Sequence, residues 1–592
     1  MAGGGWRQCG KEDRDGRPCT GIRADHISKP IRPTQRLRLC LAHLGANQLD
    51  EVLAQLHPGC EVDLRGTRIT GGLLHRILEA VAEDGIHTLR DANFTAAKFD
   101  DDADFGNTVF LGTTRFKRAL FCRAADFDQV LFDGDIADFS EVQFQRASFR
   151  WVRFRGAANF SKTEFHSRVC FAKAHFTGYL DFRGARFYSH IAGEASADFT
   201  DAALTAAVHF DGVWCHGRGG LDFSGASFAA ADRLGPLGAD FLALNRATFG
   251  SSVAIEALAT EVSCSQARFE AGFAIRLRYA RLRLENAVLS APSSLMGSES
   301  GKDPYFDTLA DPERLVLDNG ELANRIRDDE SRPDRALWMP VLSSAQGVDV
   351  SELTISDIDL SQTRFSGAYH LDRLRIEGRS RFTEPLRPHP WRGSFRVRWD
   401  WPPLWWWTRR QLLVEEAIWR ATQRRGADWK ALADEAGGSQ RAATPEALAA
   451  MYRALRKAQE DHKNGPGASD FYYGEMEMRR HTPSASFGER AVLFLYWLTS
   501  GYGLRAMRAL GCLLVVTSVV TVVMHSIGFA DTRVGFGGSA LDVVDAALSL
   551  QTGSAETHAL TWQGELLRIL MRLVGPLLLG LMLLSVRNRV KR

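Results

Sequence analysis

Phenylalanine returns every five or six residues between Phe94 and Phe187, with polar residues at most of the positions between. A helix stripe repeats every 3.6 residues and a strand face every two, so neither accounts for this rhythm. A period near five means that the backbone turns a corner after every two or three inward-facing side chains, which predicts a solenoid. The series is Phe94, Phe99, Phe105, Phe110, Phe116, Phe121, Phe127, Phe132, Phe139, Phe144, Phe149, Phe154, Phe160, Phe165, Phe171, Phe176, Phe182 and Phe187.

A small residue, usually alanine, stands two positions before many of these phenylalanines, and the unit reads A-(D/N/R/K/S/H)-F-x-x with an extra residue in alternate units. This unit resembles the pentapeptide-repeat family in its phenylalanine-rich form. The resemblance implies a mainly β fold, a right-handed quadrilateral β-helix in which four pentapeptides make one coil. The large residue would fill the coil interior. A β-sandwich of many short strands is the alternative, and the near-periodic phenylalanines argue against it.

The rhythm extends beyond this series in both directions. It loosens after Phe187 and then returns at a strict five through Cys264, Phe269, Ala274, Tyr279, Leu284 and Leu289. Residues 60–70 predict an early coil before a short helix at 73–82, and residues 350–368 predict a last coil. With about 21 residues per coil and a strand spacing of roughly 4.8 Å, residues 91–290 predict a rod about 45 Å long.

Two apolar segments near the end predict transmembrane helices, at 509–530 and 566–586. Each is long enough to cross the hydrocarbon core of a bilayer. Arginines flank the outer ends of the pair, and the loop at 531–561 is mainly acidic. The positive-inside rule therefore places both termini in the cytoplasm, in a two-span protein of the cell membrane.

Between the β-helix and the spans the chain reads as a connector and a helical neck. The connector carries five tryptophans that predict either an interfacial membrane anchor or a cap over the open end of the β-helix; they are Trp399, Trp401, Trp405, Trp406 and Trp407. In the neck, Thr408 with Gln411 resembles a capping box, and Thr444 before Pro445 predicts a second helix start. Residues 487–507 predict an amphipathic juxtamembrane helix.

The predicted organisation is therefore a series of seven segments. They are a Cys/His segment (1–59), the β-helix (60–290), an insertion loop (291–347), a final coil (348–383), a Pro/Trp-rich connector (384–407), the helical neck (408–507) and the two-span region (508–592).

Cys9, Cys19, Cys40 and His43 are spaced C-x9-C-x20-C-x2-H. Thiolate and imidazole are good zinc ligands, although the first pair is too far apart for a standard knuckle. One structural zinc and unrelated buried cysteines are the two interpretations. Four protein ligands would leave no open position for catalysis. The nine cysteines otherwise lack paired spacing, and the N-terminus lacks the apolar core of a signal peptide, which suits a reducing, cytoplasmic location.

An apolar helical run at 540–555 ends in Gln551, Thr552 and Gly553, and the order span, helix, span resembles two-span ion channels. On a pore wall Arg568 and Arg572 would favour anions, and Gly575-Pro576 would form a hinge. The ordinary interpretations are an interfacial helix, snorkelling arginines and a structural kink. The sequence LTSGYG (498–503) resembles a potassium-channel filter but lacks a span before it, so we expect a turn at Tyr502.

The order of parts resembles a set of actinobacterial pentapeptide-repeat membrane proteins, through FYYGEMEMRR, LYWLTSGYGLRA and RNRVKR, and the resemblance implies no defined activity. We expect a membrane-anchored scaffold or receptor whose cytoplasmic β-helix binds an unknown protein partner. The alternative is an ion channel regulated by the β-helix. Homo-oligomerisation is left open, and no catalytic motif predicts an enzyme. A net charge of +2 predicts no nucleic-acid partner, and a balance of roughly two dozen charges of each sign over 86–290 argues against DNA mimicry.

Overall fold

The computed structural model describes residues 6–12, 16–26, 38–189, 193–310, 318, 320–331, 337–383, 410–423, 443–530, 534–548 and 559–590. The chain divides into two compact units, Met1–His370 with Leu374–Arg381, and Leu371–Arg373 with Phe382–Arg592.

The first unit is built mainly of short strands. They are β1 (Cys60–Asp63), β2 (Arg68–Ile69), β3 (Ala82–Glu83), β4 (Ile86–Asn93), β5 (Lys98–Phe99), β6 (Ala103–Asp104), β7 (Thr108–Phe110), β8 (Thr114–Arg115), β9 (Leu120–Asp126), β10 (Leu131–Phe132), β11 (Ile136–Asp138), β12 (Gln143–Ser148), β13 (Arg153–Phe154), β14 (Ala157–Asn159), β15 (Glu164–Phe165), β16 (Val169–Cys170), β17 (His175–Phe176), β18 (Leu180–Asp181), β19 (Arg186–Ser189), β20 (Ala195–Asp198), β21 (Ala203–Leu204), β22 (Val208–His209), β23 (Trp214–Gly217), β24 (Gly220–Asp222), β25 (Ser227–Phe228), β26 (Arg233–Ala243), β27 (Thr248–Phe249), β28 (Val253–Ser263), β29 (Arg268–Phe269), β30 (Phe273–Arg278), β31 (Arg281–Arg283), β32 (Val288–Leu289), β33 (Ser293–Gly297), β34 (Val341–Ser344), β35 (Leu353–Ser356) and β36 (Arg375–Glu377).

The helices of both units are α1 (Ala46–Leu53), α2 (Gly71–Glu79), α3 (Pro304–Leu309), α4 (Glu321–Ser331), α5 (Val414–Gln423), α6 (Pro445–Asp461), α7 (Gly465–His481), α8 (Phe487–Ser500), α9 (Ala506–Val523), α10 (Phe536–Leu548) and α11 (Trp562–Val590). Short 3₁₀ turns lie at Ala24–His26, Leu41–His43 and Leu371–Arg373, and a π-helical turn, Met524–Gly528, continues α9.

The strands form a β-solenoid of about 12 turns over residues 87–377. Strands of successive coils pair in parallel, so that Phe132 is in register with Phe110 on one side and Phe154 on the other. The early coil is present as well, because β1 pairs with β4 and β2 with β5. The predicted β-helix followed by a helical C-terminal region is therefore confirmed.

The phenylalanines of the repeat form continuous ladders inside the solenoid. All eighteen from Phe94 to Phe187 are at most 2% exposed. Along one ladder the rings of Phe110, Phe132 and Phe154 stack with centroids 5.0 and 4.7 Å apart, close to the spacing of paired strands. Rings of adjacent ladders meet edge to face, as Phe132 does with Phe139 at 5.7 Å. Both arrangements are favoured by the aromatic quadrupole.

Alternate repeats share a backbone turn. Two positions after Phe127, Phe139 and Phe149 the chain turns through a left-handed residue, with φ of 62° at Gln129, 58° at Glu141 and 58° at Trp151. Side chains other than glycine adopt this conformation at a cost of about 1 kcal/mol or more, which the stacked coils on either side must offset.

The five-residue rhythm continues from Cys264 to the buried Phe269 but fails after it, at Ala274, where it was expected to continue. The long strands β28 and β30 restore the two-residue alternation of an ordinary strand, so Phe273 and Ile275 face inward and Ala274 is exposed. Tyr279 is buried, but against the segment that leaves the coil between Gly297 and Val341. The predictions for Ala274 and Tyr279 as interior repeat residues were therefore wrong.

The insertion is shorter than its predicted range of 291–347. Strand β33 pairs with β30 and β35, and β34 pairs with β31, so both belong to the coil. Helices α3 and α4 pack Phe306, Leu322 and Ile326 against Trp214 and neighbouring side chains on the outside of the solenoid. The Asp240 carboxylate accepts hydrogen bonds from the first two amides of α4, which fixes its N-terminus.

The neck of the second unit contains the expected helices with altered starts. Thr444 caps α6 as predicted, through a hydrogen bond from the Ala447 amide to its hydroxyl. The helix expected from Thr408 begins instead at Val414, because Leu412 forms an antiparallel bridge with Thr383. Thr408 itself lies outside the described residues.

The last three helices of the second unit pack on one another. Their shared apolar cluster is Val520, Met524, Val543, Ala546, Ala547 and Met571. Gly575 of α11 touches α10 so closely that a Cβ atom there would lie 2.2 Å from the Ala547 carbonyl oxygen. Helix α11 runs unbroken through Pro576.

Candidate functional site

Cys9 and Cys19 are brought together by an antiparallel hairpin. Bridges join Gln8 to Ile22 and Glu12 to Pro18, so Cys9 lies opposite Gly21. Cys19 is the diagonal neighbour of Cys9, two residues along the partner strand, and diagonal neighbours share a face. The hairpin therefore brings Cys9 and Cys19 together, although their separation in sequence is too long for a standard knuckle.

Cys40 and His43 come together through the 3₁₀ turn Leu41–His43, which Cys40 immediately precedes. A 3₁₀ helix has three residues per turn, so residues i and i+3 lie on the same side. The His43 amide donates to the Cys40 carbonyl oxygen at 3.0 Å, which closes the turn. The C-x2-H spacing is thus sufficient to predict that Cys40 and His43 lie on the same side of one turn.

The four ligand atoms form one cluster, all within 4.8 Å of one another. The Cys19 and Cys40 sulfurs are 3.7 Å apart, and the His43 Nδ1 lies 3.4 Å from the Cys9 sulfur and 3.3 Å from that of Cys40. Bond lengths of about 2.3 Å to sulfur and about 2.0 Å to nitrogen give tetrahedral separations near 3.8 and 3.5 Å. The donor set therefore fits a four-coordinate metal ion.

The surroundings of the cluster favour a thiolate. A hydrogen bond with the Cys40 thiol and another from the Gly21 amide outweigh burial and lower the pKa of Cys19 to about 5. The same pairing with Cys19 raises the pKa of Cys40. All nine cysteines are free.

A second cluster, a network of buried charges in the neck, was not predicted. Glu416 has a fully buried side chain and accepts from Arg410 at 2.5 Å, Arg420 at 2.7 Å and the Tyr452 hydroxyl at 2.5 Å. Burial alone would raise the pKa of Glu416, but the two guanidinium groups lower it. Each of these contacts satisfies a charge that would otherwise be costly to bury.

Glu477 extends this network towards α9. It accepts from Arg480 at 2.7 Å and from the Tyr502 hydroxyl at 3.0 Å. Tyr502 is 1% exposed and lies in the turn after α8, where Gly501 is left-handed. The prediction of a turn at Tyr502 is confirmed, and its motif holds a helix junction together.

The two long apolar helices present most of their surface outward. Ala506–Gly528 and Trp562–Arg587 are long and apolar enough to cross a membrane, and only 17% and 22% of their most apolar windows are buried. Arg568 is half-buried beside Asp542 and Met571, whereas Arg572 and Pro576 are exposed. The cavity that Val520, Val543 and Met571 line between α9, α10 and α11 has no room for a water molecule.

Several predicted site residues lie outside the described residues. They are Gln551, Thr552 and Gly553, and the tryptophans Trp399, Trp401, Trp405, Trp406 and Trp407. Helix α10 does lie between the two apolar helices, as the span, helix, span order predicts.

One face of the solenoid carries an open groove of about 510 Å³. It is lined by small side chains, including Ala124, Ser148 and Cys170, and by charged ones, including Arg146 and Arg168. Arg168 pairs with Asp198 at 3.0 Å. The groove therefore offers both charge signs beside small side chains.

Residues 94–143 and 139–186 match the family model described as Pentapeptide repeats (9 copies). The match covers the coils with the most regular phenylalanine ladders and identifies their repeat. No curated protein and no solved structure matches the chain significantly. A shared repeat specifies a fold, and function must be argued from the sites above.

Proposed function

We propose that the protein is a membrane-anchored scaffold whose β-solenoid binds a protein partner in the cytoplasm. The observation that carries the anchoring is the exposure of the two apolar helices, which have 23 and 26 residues. The core helix of a soluble protein would be mostly buried, whereas a helix in lipid can leave its apolar side chains outward.

Helix α8 supports the same location. Phe487 and Val492 are 86% and 64% exposed, and Phe494 and Leu495 are exposed as well. Arg479 and Arg490 lie near its N-terminal end, where they would meet anionic headgroups. An apolar face flanked by arginines suits a helix in the interfacial layer, and α8 leads directly into the first apolar helix.

The groove on the solenoid supports the partner-binding part of the proposal. A lining of mixed charge and small side chains suits a polar, extended protein segment, whereas a strongly acidic groove would suit a competitor of DNA. The groove is built on paired strands, so its side chains are held in place before any partner arrives.

Membrane extraction tests the anchor. The full chain is expected to remain with membranes at alkaline pH. Arginine at four exposed positions, two on α9 and two on α11, should release it, in the combined variant Val515→Arg, Val519→Arg, Leu573→Arg and Leu577→Arg. Ile136→Arg, at an exposed apolar position of the solenoid, is the matched control and should stay bound. Release of the unmodified chain by carbonate would contradict the anchor.

The channel alternative is tested by planar-bilayer recording of the full chain. The close packing of α9, α10 and α11 leads us to expect silence. Reproducible unitary currents that change with Arg572→Glu would favour a channel over the scaffold, since Arg572 is an exposed arginine within the second apolar helix.

A further inference from the structure

We propose that Cys9, Cys19, Cys40 and His43 bind one zinc ion, and that this ion fastens the N-terminal segment onto the first coil, where it takes the place of a preceding coil. Two features lead to this inference. They are the donor geometry described above and the hydrogen bonds between the segment and the solenoid.

The backbone hydrogen bonds repeat from coil to coil at one corner. The Gly66 amide donates to the Thr95 carbonyl oxygen at 2.9 Å, and the Ala96 amide donates to that of Lys117 at 2.8 Å. Each acceptor follows an interior residue directly, as Thr95 follows Phe94. In the first coil the equivalent acceptor is Arg65, which follows the buried Leu64.

Ile22 occupies the donor position at that corner. Its amide donates to the Arg65 carbonyl oxygen at 2.8 Å, the same bond that a preceding coil would make. The Thr20 hydroxyl donates to the Gly66 carbonyl oxygen at 3.0 Å. The N-terminal segment therefore continues the hydrogen-bond pattern past the end of the solenoid, where an open edge would otherwise invite pairing with another chain.

The fit is close on both sides of this segment. A Cβ atom on Gly66 would lie 2.4 Å from the Thr20 carbonyl oxygen, and one on Gly21 would lie 2.9 Å from the Cys40 Cβ. The hairpin that carries Cys9 and Cys19 thus touches the coil through Thr20 and the Cys40 turn through Gly21.

The described part of the N-terminal segment buries few apolar side chains. Its cluster consists of Cys9, Cys19 and Cys40, with Leu39 packed against them, and Ile22, Ala24 and Leu41 are also buried. A core of this size does not order a separate segment without a disulfide or a metal. Because the Cys19 and Cys40 sulfurs are 3.7 Å apart and face two further donors, the geometry favours a shared ion over a disulfide.

Zinc is the ion that this donor set favours. Three thiolates and one imidazole in a closed tetrahedron are typical of structural zinc sites, and softness excludes magnesium and calcium. The Gly21 amide donates to the Cys19 sulfur at 3.4 Å, which would stabilise the bound thiolate.

Elemental analysis and hydrogen–deuterium exchange of the full chain in detergent test both parts of the proposal. We expect one zinc per chain, lost in Cys40→Ser and retained in Cys122→Ser, a half-buried solenoid cysteine outside the cluster. Removing zinc with a chelator should accelerate exchange in residues 60–69 about tenfold or more and leave residues 143–148 unchanged. The chelator should add nothing to the exchange of Cys40→Ser.

Three outcomes would overturn the inference. They are a protein purified under reducing conditions without zinc, an intact mass that shows a disulfide among these cysteines, and loss of zinc without faster exchange in residues 60–69. Chelation of the unmodified chain keeps the test decisive if Cys40→Ser does not fold. Membrane extraction is independent of these measurements, so failure of the zinc site and failure of the anchor are distinguishable.

Discussion

The two units of this protein differ in what they bury. The solenoid has an interior of stacked phenylalanines and an exterior that is largely polar. The helical unit buries carboxylates such as Glu416 and Glu477 and exposes Leu514, Val515 and Leu573. The first arrangement is the one that water favours. The second requires that the buried charges are paired, and the proposed membrane anchor would account for its exposed apolar helices.

This difference indicates where each unit obtains its stability. Each coil buries the same type of side chain against its neighbours, so the stability of the solenoid is close to a sum of similar terms. The neck depends on a few buried ion pairs, in which one missing partner leaves an uncompensated charge. The substitutions below test whether the two interiors respond in these different ways.

The largest effect is expected from Phe139→Ala in the ladder. The Phe139 ring stacks on Phe116 and Phe160 at 4.9 Å in each case, so its loss opens a cavity in three coils and should cost about 4 kcal/mol. Phe139→Leu should cost about 1 kcal/mol, since Leu204 occupies the ladder position between Phe176 and Phe228. Hydrogen–deuterium exchange of the adjoining coils measures both. Equal costs would show that the cavity contributes little beside the loss of ring stacking.

Glu416→Gln should follow, at about 3 kcal/mol. It keeps an acceptor for Tyr452 but leaves Arg410 and Arg420 without their shared charge in a buried place. Glu141→Gln is the matched control, since its exposed ion pairs with Lys117 and Arg118 span 3.6 and 3.8 Å and should contribute less than about 1 kcal/mol. Exchange in α6 and α7 reports the first substitution. A change no larger than that of the control would refute the dependence on buried pairs.

The sequence predicts the two units unequally, for physical reasons. The interior position of Phe139 follows from spacing alone, because every coil presents the same environment. The burial of Glu416 depends on Tyr452, which lies 36 residues away and reaches it only through helix packing. Tyr279 was misjudged for a similar reason, since a distant insertion covers the outside of its strand.

The metal cluster is intermediate in how much of its geometry the sequence predicts. The C-x2-H turn is local, and its geometry follows from the sequence. The approach of Cys9 to Cys19 requires the hairpin between Gln8 and Ile22, which no spacing rule gives. The exposure of α9 and α11 was predictable, because long and predominantly apolar segments carry their own signal.

A buried carboxylate, Asp318, also lies where the insertion packs on the outside of the solenoid, and acid should disrupt its contacts. Asp318 accepts from Trp214 Nε1, Gly217 and Gly320, each at 2.9 Å. Burial opposes ionisation, but hydrogen bonds from His216, Trp214 and these amides lower the pKa of Asp318 to about 2. A depressed carboxyl pKa stabilises the fold above about pH 4, and this contribution is lost as the pH falls towards 2.

The expected loss is about 2 kcal/mol, and it should appear as loosening of the insertion. Exchange in α4, corrected for the intrinsic effect of pH, should therefore rise between pH 4 and pH 2. Asp318→Asn should remove this dependence and weaken the insertion at neutral pH. An unchanged acid response in the variant would assign it to other carboxylates.

The smallest effect is expected from glycine substitutions in α11. They should distinguish a position that packs against α10 from one that faces outward. Gly575→Ala places a Cβ atom against the Ala547 carbonyl oxygen, and moving α11 away from α10 should cost about 1–2 kcal/mol. Gly580→Ala on the same helix meets nothing within 4 Å and should be neutral or slightly stabilising, because alanine is the better helix former. Exchange in α10 for the two variants in lipid nanodiscs distinguishes them. If both variants behave alike, α10 and α11 are not in close contact at Gly575. This face of α11 would then be exposed instead of buried against α10.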